Sequence, residues 1–430
     1  MRKNKFIKST LILFVAGIIT KCLGMFIKVY YTRLIGEQGV SILSMTSPTY
    51  SLFLTFAVLN LPLSLSSVIA KYKNGKKTVL SVTPFIIIFD IIFILLVFLL
   101  APFLAEKLLH NKLLLYPIIS MSLTIPFVSL SSIVKGYFFG NQNMLPYAFS
   151  NVGEQIIRLI IISLFIPKLL KLSLIHSICG FFLINIFSEL FSVLIFTFFM
   201  PRNITISIDN LKPDISIVKD VFGIAIPSVS ARIIGNISYF FEPIIITNLL
   251  LMLGYSSTFI YQEYGIINGY VFSTLLFPTF ITSSLATSLT PEISKLYHKK
   301  KYSQIKKILK TSVFLLLLIG VSVNLVIFIF PKFFLKLIFN TTLGVKYIKI
   351  LAIFFPLYYI ETPLASAIQA MNGAKHTFKV TTIGCIIKLL SLVIFSLFKI
   401  GLYGLILAEI INIIFVVLSS YNYIKKKIYF

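Results

Sequence analysis

The chain has 430 residues, of which 58% are hydrophobic and only 12% charged, against roughly 45–50% apolar and about 25% charged in a soluble domain. A water-facing surface cannot be built from that remainder, so soluble enzymes and disordered tails are excluded. The 39 Lys and Arg against 13 Asp and Glu leave a net charge of +26, but most of these cations lie in short clusters between long apolar runs, a pattern of membrane topology and not of nucleic-acid binding.

A membrane-spanning helix needs about 20 apolar residues, and twelve such spans are expected in chain order: 9–31, 44–70, 79–104, 114–134, 148–166, 173–200, 221–250, 266–290, 311–331, 347–370, 377–398 and 401–422. The basic start followed by an apolar run resembles a secretory signal, but Lys21 and Lys28 interrupt it and no A-x-A cleavage site follows, so it reads as the first span. Interior Gly and Pro, with no short alternating segments, favour helices over a transmembrane barrel. The expected fold is an all-α polytopic membrane protein: two pseudo-symmetric six-helix lobes, 1–200 and 221–430, joined by the polar cytoplasmic linker 201–220.

With the N-terminus inside, the inner segments carry 24 Lys and Arg, Lys135 among them, and the outer loops carry 10. The asymmetry places both termini in the cytoplasm. The basic segment 295–310 suits either an amphipathic helix on the inner leaflet or a solvated loop. Cys22, Cys179 and Cys385 fall in apolar stretches, and His110, His176, His298 and His376 are scattered. No metal site, cofactor or disulfide framework is expected.

Sliding the second half over the first gives matches at stepped offsets. Gly17 and Gly36 meet Gly235 and Gly254, Ser64 and Lys71 meet Ser288 and Lys295, and Pro126 and Arg158 meet Pro356 and Lys388. Six spans per half make this a parallel repeat about an axis along the membrane normal.

Ionisable residues inside spans point to function. A Lys or Arg at the bilayer centre costs about 2.5–3.5 kcal/mol, and five are present: Lys21, Lys28, Arg158, Arg232 and Lys388. Four helices each show a polar, cation-bearing stripe. Gly17, Lys21, Gly24 and Lys28 form the first, and Asn151, Glu154, Gln155 and Arg158 the second. Ser228, Arg232, Gly235, Tyr239 and Glu242 form the third, and Thr381, Gly384, Lys388 and Ser391 the fourth. The economical arrangement points all four into one water-accessible cavity between the halves, a binding site for an anion. Blander roles exist: Lys28 can snorkel, Glu154 and Arg158 can pair at i, i+4, and Glu242 can pair with Arg232 or support the kink at Pro243. Asp90, Glu189 and Glu409 are lone acids suited to helix-helix hydrogen bonding or, in the sharper case, to ion coupling.

The string GYFFGNQNMLPYAFSNVGEQIIRL at 136–159 resembles the segment after the fourth span in the stage V sporulation protein B group of polysaccharide flippases. SAIQAMNGAKHTFKVTTIGCIIKLL at 366–390 resembles its counterpart in the second half, and the TRLIGEQGVSIL run from Thr32 and the SLTPEISKLY run from Ser288 extend the likeness over nearly the whole chain. That group belongs to the multidrug, oligosaccharidyl-lipid and polysaccharide exporter superfamily. The resemblance implies two lobes, a cationic cavity lined by Lys21, Arg158, Arg232 and Lys388, and alternating access that carries a polyprenyl-diphosphate-linked oligosaccharide or peptidoglycan precursor across the membrane. Members commonly add two helices beyond the twelfth span, whereas this sequence ends at Phe430. The expected partners are the lipid-linked glycan, membrane lipids and glycan-biosynthesis enzymes, with no nucleic acid, and the protein is expected to be a monomer. An ion-coupled drug exporter using acids such as Asp90 or Glu189, and a membrane-embedded glycan polymerase or ligase, are the competing functions; the short outer connection at 251–265 argues against an enzyme.

Overall fold

The computed structural model describes residues 2–141, 143–200 and 213–429, and all secondary structure among the described residues is helical. The helices in order are α1 (Arg2–Val58), α2 (Leu61–Tyr72), α3 (Gly75–Pro102), α4 (Leu115–Ser122), α5 (Ile125–Gly140), α6 (Leu145–Leu172), α7 (Leu174–Phe198) and α8 (Ile215–Met252). They continue with α9 (Ser257–Gly265), α10 (Phe272–Leu275), α11 (Thr279–His298), α12 (Tyr302–Ile329), α13 (Pro331–Phe339), α14 (Val345–Ala370), α15 (Ala374–Ser396) and α16 (Tyr403–Tyr429). Residues 201–212, most of the expected linker, lie outside the described residues.

Among the described residues, eight helical stretches are long and apolar enough to cross a membrane by length and composition. The first, Val15–Tyr72, runs through two expected spans, so the eight cover nine of the twelve. The other three fall on α6 and α8, long helices carrying the polar stripes, and on the broken run from α9 to α11. On α3 the side chains of Ile88, Ile92, Leu95 and Leu99 are exposed, Leu99 at 78%, which in water would be untenable but suits contact with acyl chains. The protein is a multi-pass membrane protein.

Local chemistry sets the breaks. Gly36 has φ 64° and ψ −171°, a conformation essentially confined to glycine, and it kinks α1 between the first two expected spans. Gly36→Ala is therefore expected to cost about 1–3 kcal/mol, read as a lower midpoint of thermal unfolding by circular dichroism. Gly17→Ala, at a helical position with open space, is the control and should be neutral or mildly stabilising. Leu59 and Asn60 both take positive φ before Pro62, in the first turn of α2, and this breaks the second expected span. The segment 295–310 is a helix end, a turn at 299–301 and a new helix, not one amphipathic helix. The short α13 has no counterpart among the expected elements.

The chain divides into two compact units, Met1–Ile35 with Thr46–Asn236, and Gly36–Met45 with Ile237–Phe430. This differs from lobes at 1–200 and 221–430: the first part of α8 belongs to the first unit, and ten residues of α1 belong to the second. The first follows because Ile217, Val218 and Val221 pack into a core with Leu61, Leu65 and Ile86. Ion pairs Lys71–Asp220 (2.6 Å) and Lys77–Asp214 (2.8 Å) add to it at the exposed helix ends; Lys77, then the Ser216 hydroxyl, hold the Asp214 carboxyl well below the usual carboxylate range. The second follows because Gly265 lies so close to Ser41 that a Cβ there would come within 2.6 Å of the Ser41 Cα. In the second unit, Ile293, Ile305, Ile360, Leu364 and Ile424 form the main core across α11, α12, α14 and α16. The repeat is visible in backbone geometry: Gly36 and Gly254 both take positive φ, as do His110 and Asn340, the latter pair at the same offset as Arg158 and Lys388.

Candidate functional site

Among the described residues, each unit holds a buried cluster of opposite charges. In the first, the 3.6-residue period puts Glu154, Gln155 and Arg158 on one side of α6, where Lys135 of α5 and Ser188 and Glu189 of α7 meet them. Arg158 Nη2 lies 2.9 Å from Glu154 Oε1, and Lys135 Nζ lies 3.3 Å from Glu154 Oε2 and 3.6 Å from Glu189 Oε2. Arg158 also donates from Nε and Nη2 to Ser188 Oγ at 3.3 and 3.2 Å and from Nη1 to Gln155 Oε1 at 3.4 Å. The four charged side chains are at most 20% exposed. Two cations face two carboxylates, so the cluster is balanced when all four are ionised.

The second cluster is built on α8, α15 and α16. Lys388 Nζ sits 2.7 Å from both Glu242 Oε2 and Glu409 Oε2, and the Tyr264 hydroxyl donates to Glu242 Oε1 at 2.9 Å. Glu242 is 1% exposed, Glu409 12% and Lys388 16%. Glu361 of α14 is close enough to act electrostatically on Lys388 and Glu409. Gly384, one turn before Lys388, lets α15 approach α16: a Cβ there would come within 2.9 Å of Asn412 Oδ1. Acids outnumber the cation here, the reverse of the expected positive excess.

The sequence-predicted residues therefore separate. Arg158 and Lys388 are not unpaired cations awaiting a counter-ion, since carboxylates already neutralise them: Glu154 on the same helix for Arg158, and Glu242 and Glu409 on other helices for Lys388. Glu189 and Glu409 are not lone acids but members of these clusters. Glu242 pairs with Lys388, not with Arg232. Asp90 is buried and accepts a hydrogen bond from Ser129 Oγ at 3.0 Å, joining α3 to α5. Lys21, Lys28 and Arg232 are exposed, and Lys28 and Arg232 make no ion pair among the described residues. The α1 stripe does meet the α6 stripe: the open side of Gly24 faces Gln155 Oε1, 3.8 Å from where a Cβ would stand.

Three members of the clusters escape the sequence reading. The count of inner charges puts Lys135 in a cytoplasmic loop, yet α5 continues to Gly140 and buries it; the absence of proline from Val134 to Gly140 was the available signal. Glu361 and Tyr264 give less warning, because their partners lie on other helices. No grouping of three or more His, Cys, Asp or Glu suited to a metal occurs among the described residues.

The family model for polysaccharide biosynthesis proteins matches residues 6–255, and stage V sporulation protein B of Bacillus subtilis (strain 168) is 31% identical over 97% of this chain and 83% of its own length. The chain belongs to the polysaccharide biosynthesis protein family. A second model, MatE, matches residues 243–394 of this family member. Lipid II flippase MurJ of Bacillus subtilis (strain 168) is 24% identical over 90% of this chain and 76% of its own length. Among solved structures, an inward-facing multidrug resistance MATE family transporter of the MOP superfamily superposes with a TM-score of 0.78 at 13% identity, covering 95% of this chain and 94% of the other. That likeness establishes the fold of this family member.

Proposed function

We propose that this polysaccharide biosynthesis family protein is a flippase that moves a polyprenyl-diphosphate-linked oligosaccharide or peptidoglycan precursor across the bacterial cytoplasmic membrane by alternating access, with both termini in the cytoplasm. It works as a transporter and not as an enzyme. The observation that carries the reading is the pair of exposed cations, Lys28 on α1 and Arg232 on α8, that lack a carboxylate partner among the described residues. A charge at membrane depth costs about 2.5–3.5 kcal/mol unless water or a counter-ion meets it, and a diphosphate supplies that counter-ion. Lys21 on the same α1 stripe joins them in holding the headgroup. Arg158 and Lys388 keep their carboxylates in the resting state and set the positions of α6 and α15. The lipid II flippase among the relatives supports a lipid-linked cargo for this chain too.

The test is reconstitution into vesicles carrying a fluorescent polyprenyl-diphosphate glycan in one leaflet. Time-dependent protection of the probe from a membrane-impermeant quencher is expected, and folded protein that gives none would remove the proposal. The MatE match favours one second reading, an ion-coupled drug exporter; efflux of cationic dyes from the same vesicles, with no movement of the glycan lipid, would establish it instead.

A further inference from the structure

A groove of about 980 Å³ runs along the first unit, and no carboxylate lines it among the described residues. It is lined by Tyr116 of α4, Phe165 and Leu169 of α6, and Cys179, Leu183 and Phe187 of α7. Lys112 and His176 of its lining stand exposed, and the Ser173 hydroxyl sits 2.6 Å from His176 Nδ1. From His176 to Phe187 the helix rises roughly 16 Å at 1.5 Å per residue, about half of a 30 Å hydrocarbon core. The groove is thus one leaflet long and largely apolar, with two exposed basic side chains in its lining.

We propose that this groove holds one acyl chain of an anionic membrane phospholipid, with its phosphate seated at Lys112 and His176. Length decides the occupant: an acyl chain ends where the groove ends, at mid-bilayer, whereas a polyprenyl chain runs far past it. Sign decides the headgroup, since the two basic side chains, Lys112 and His176, meet no acid among the groove's lining residues. Gly180 belongs to the design, because its missing side chain lets Leu169 lie against α7; a Cβ there would collide with Leu169 Cδ1. The site is independent of the transport proposal, and its occupancy can be read whether or not the protein flips a glycan.

The experiment uses the full chain in phosphatidylcholine nanodiscs containing a minor share of phosphatidylglycerol, with a photoactivatable diazirine on the acyl chain of one lipid or the other. Adducts are expected on peptides covering 161–187, with phosphatidylglycerol favoured roughly fivefold at equal concentration, as expected for a basic residue near an anionic surface. Lys112→Gln with His176→Gln should bring that preference close to one while leaving the chain adducts in place. Cys179→Trp should fill the groove and remove them; the exposed Lys112 and His176 variants decide the matter if that protein does not fold. Adducts spread evenly onto lipid-facing α3, equal labelling by the two lipids, or displacement of phosphatidylglycerol by polyprenyl phosphate would each overturn the proposal.

Discussion

Lys388→Met is expected to destabilise the second unit by about 3–5 kcal/mol, the usual cost of removing one member of a buried ion pair. The loss is large because two carboxylates, Glu242 and Glu409, stand 2.7 Å from the same ammonium and retain no other cation among their ion pairs. Removing all three charges together, as Lys388→Met with Glu242→Gln and Glu409→Gln, should recover most of the stability, since a neutral set of similar volume avoids desolvating charge. Thermal unfolding in detergent measures both, and equal losses in the single and triple variants would show that the cluster is not coupled. Arg158→Met should cost less, because Lys135 remains between Glu154 and Glu189 after the guanidinium is gone. Repeat-equivalent cations thus have unequal weight, and the number of acids facing each accounts for it.

Charge reversal at the exposed cations should show the opposite balance of effects. Lys28→Glu and Arg232→Glu are each expected to slow translocation of the diphosphate-linked probe on the order of 100-fold, the loss of a charge-assisted hydrogen bond with repulsion added. The unfolding midpoint should hardly move, because neither side chain pairs with a carboxylate among the described residues and changes at exposed sites usually stay within about 0.5 kcal/mol. Lys28→Arg keeps the charge and should retain most of the rate. Normal rates in both reversal variants would take the headgroup away from these stripes, while a fall in stability equal to that of Lys388→Met would make them structural.

How far the site is legible from the chain depends on whether its parts are close in sequence. Glu154 and Arg158, four residues apart on one helix, are recognisable as a pair because helical spacing alone brings them together. Glu242 and Lys388 are separated by more than a hundred residues, so nothing in the period of either helix announces the contact. The polar stripes of α1, α6, α8 and α15 are legible, since polar residues that recur every third or fourth position in an apolar run fall on a single helical face, and that face must meet something other than lipid. Which stripe finds an acid and which stays open is not. The burial of Lys135 is hidden by a helix end that lies a few residues beyond the expected one, enough to turn a loop charge into a core cation.

Composition and apolar run length alone determined that this is a helical, multi-pass membrane protein, because lipid leaves the backbone no other way to satisfy its hydrogen bonds over such runs. The order of residues along the chain also carried the repeat and the presence of costly charges at depth. Tertiary structure decided the fate of those charges. It is packing between distant helices that sets the local count of acids against bases, and so makes Lys388 and Arg158 interior struts while leaving Lys28 and Arg232 exposed with no carboxylate partner among the described residues.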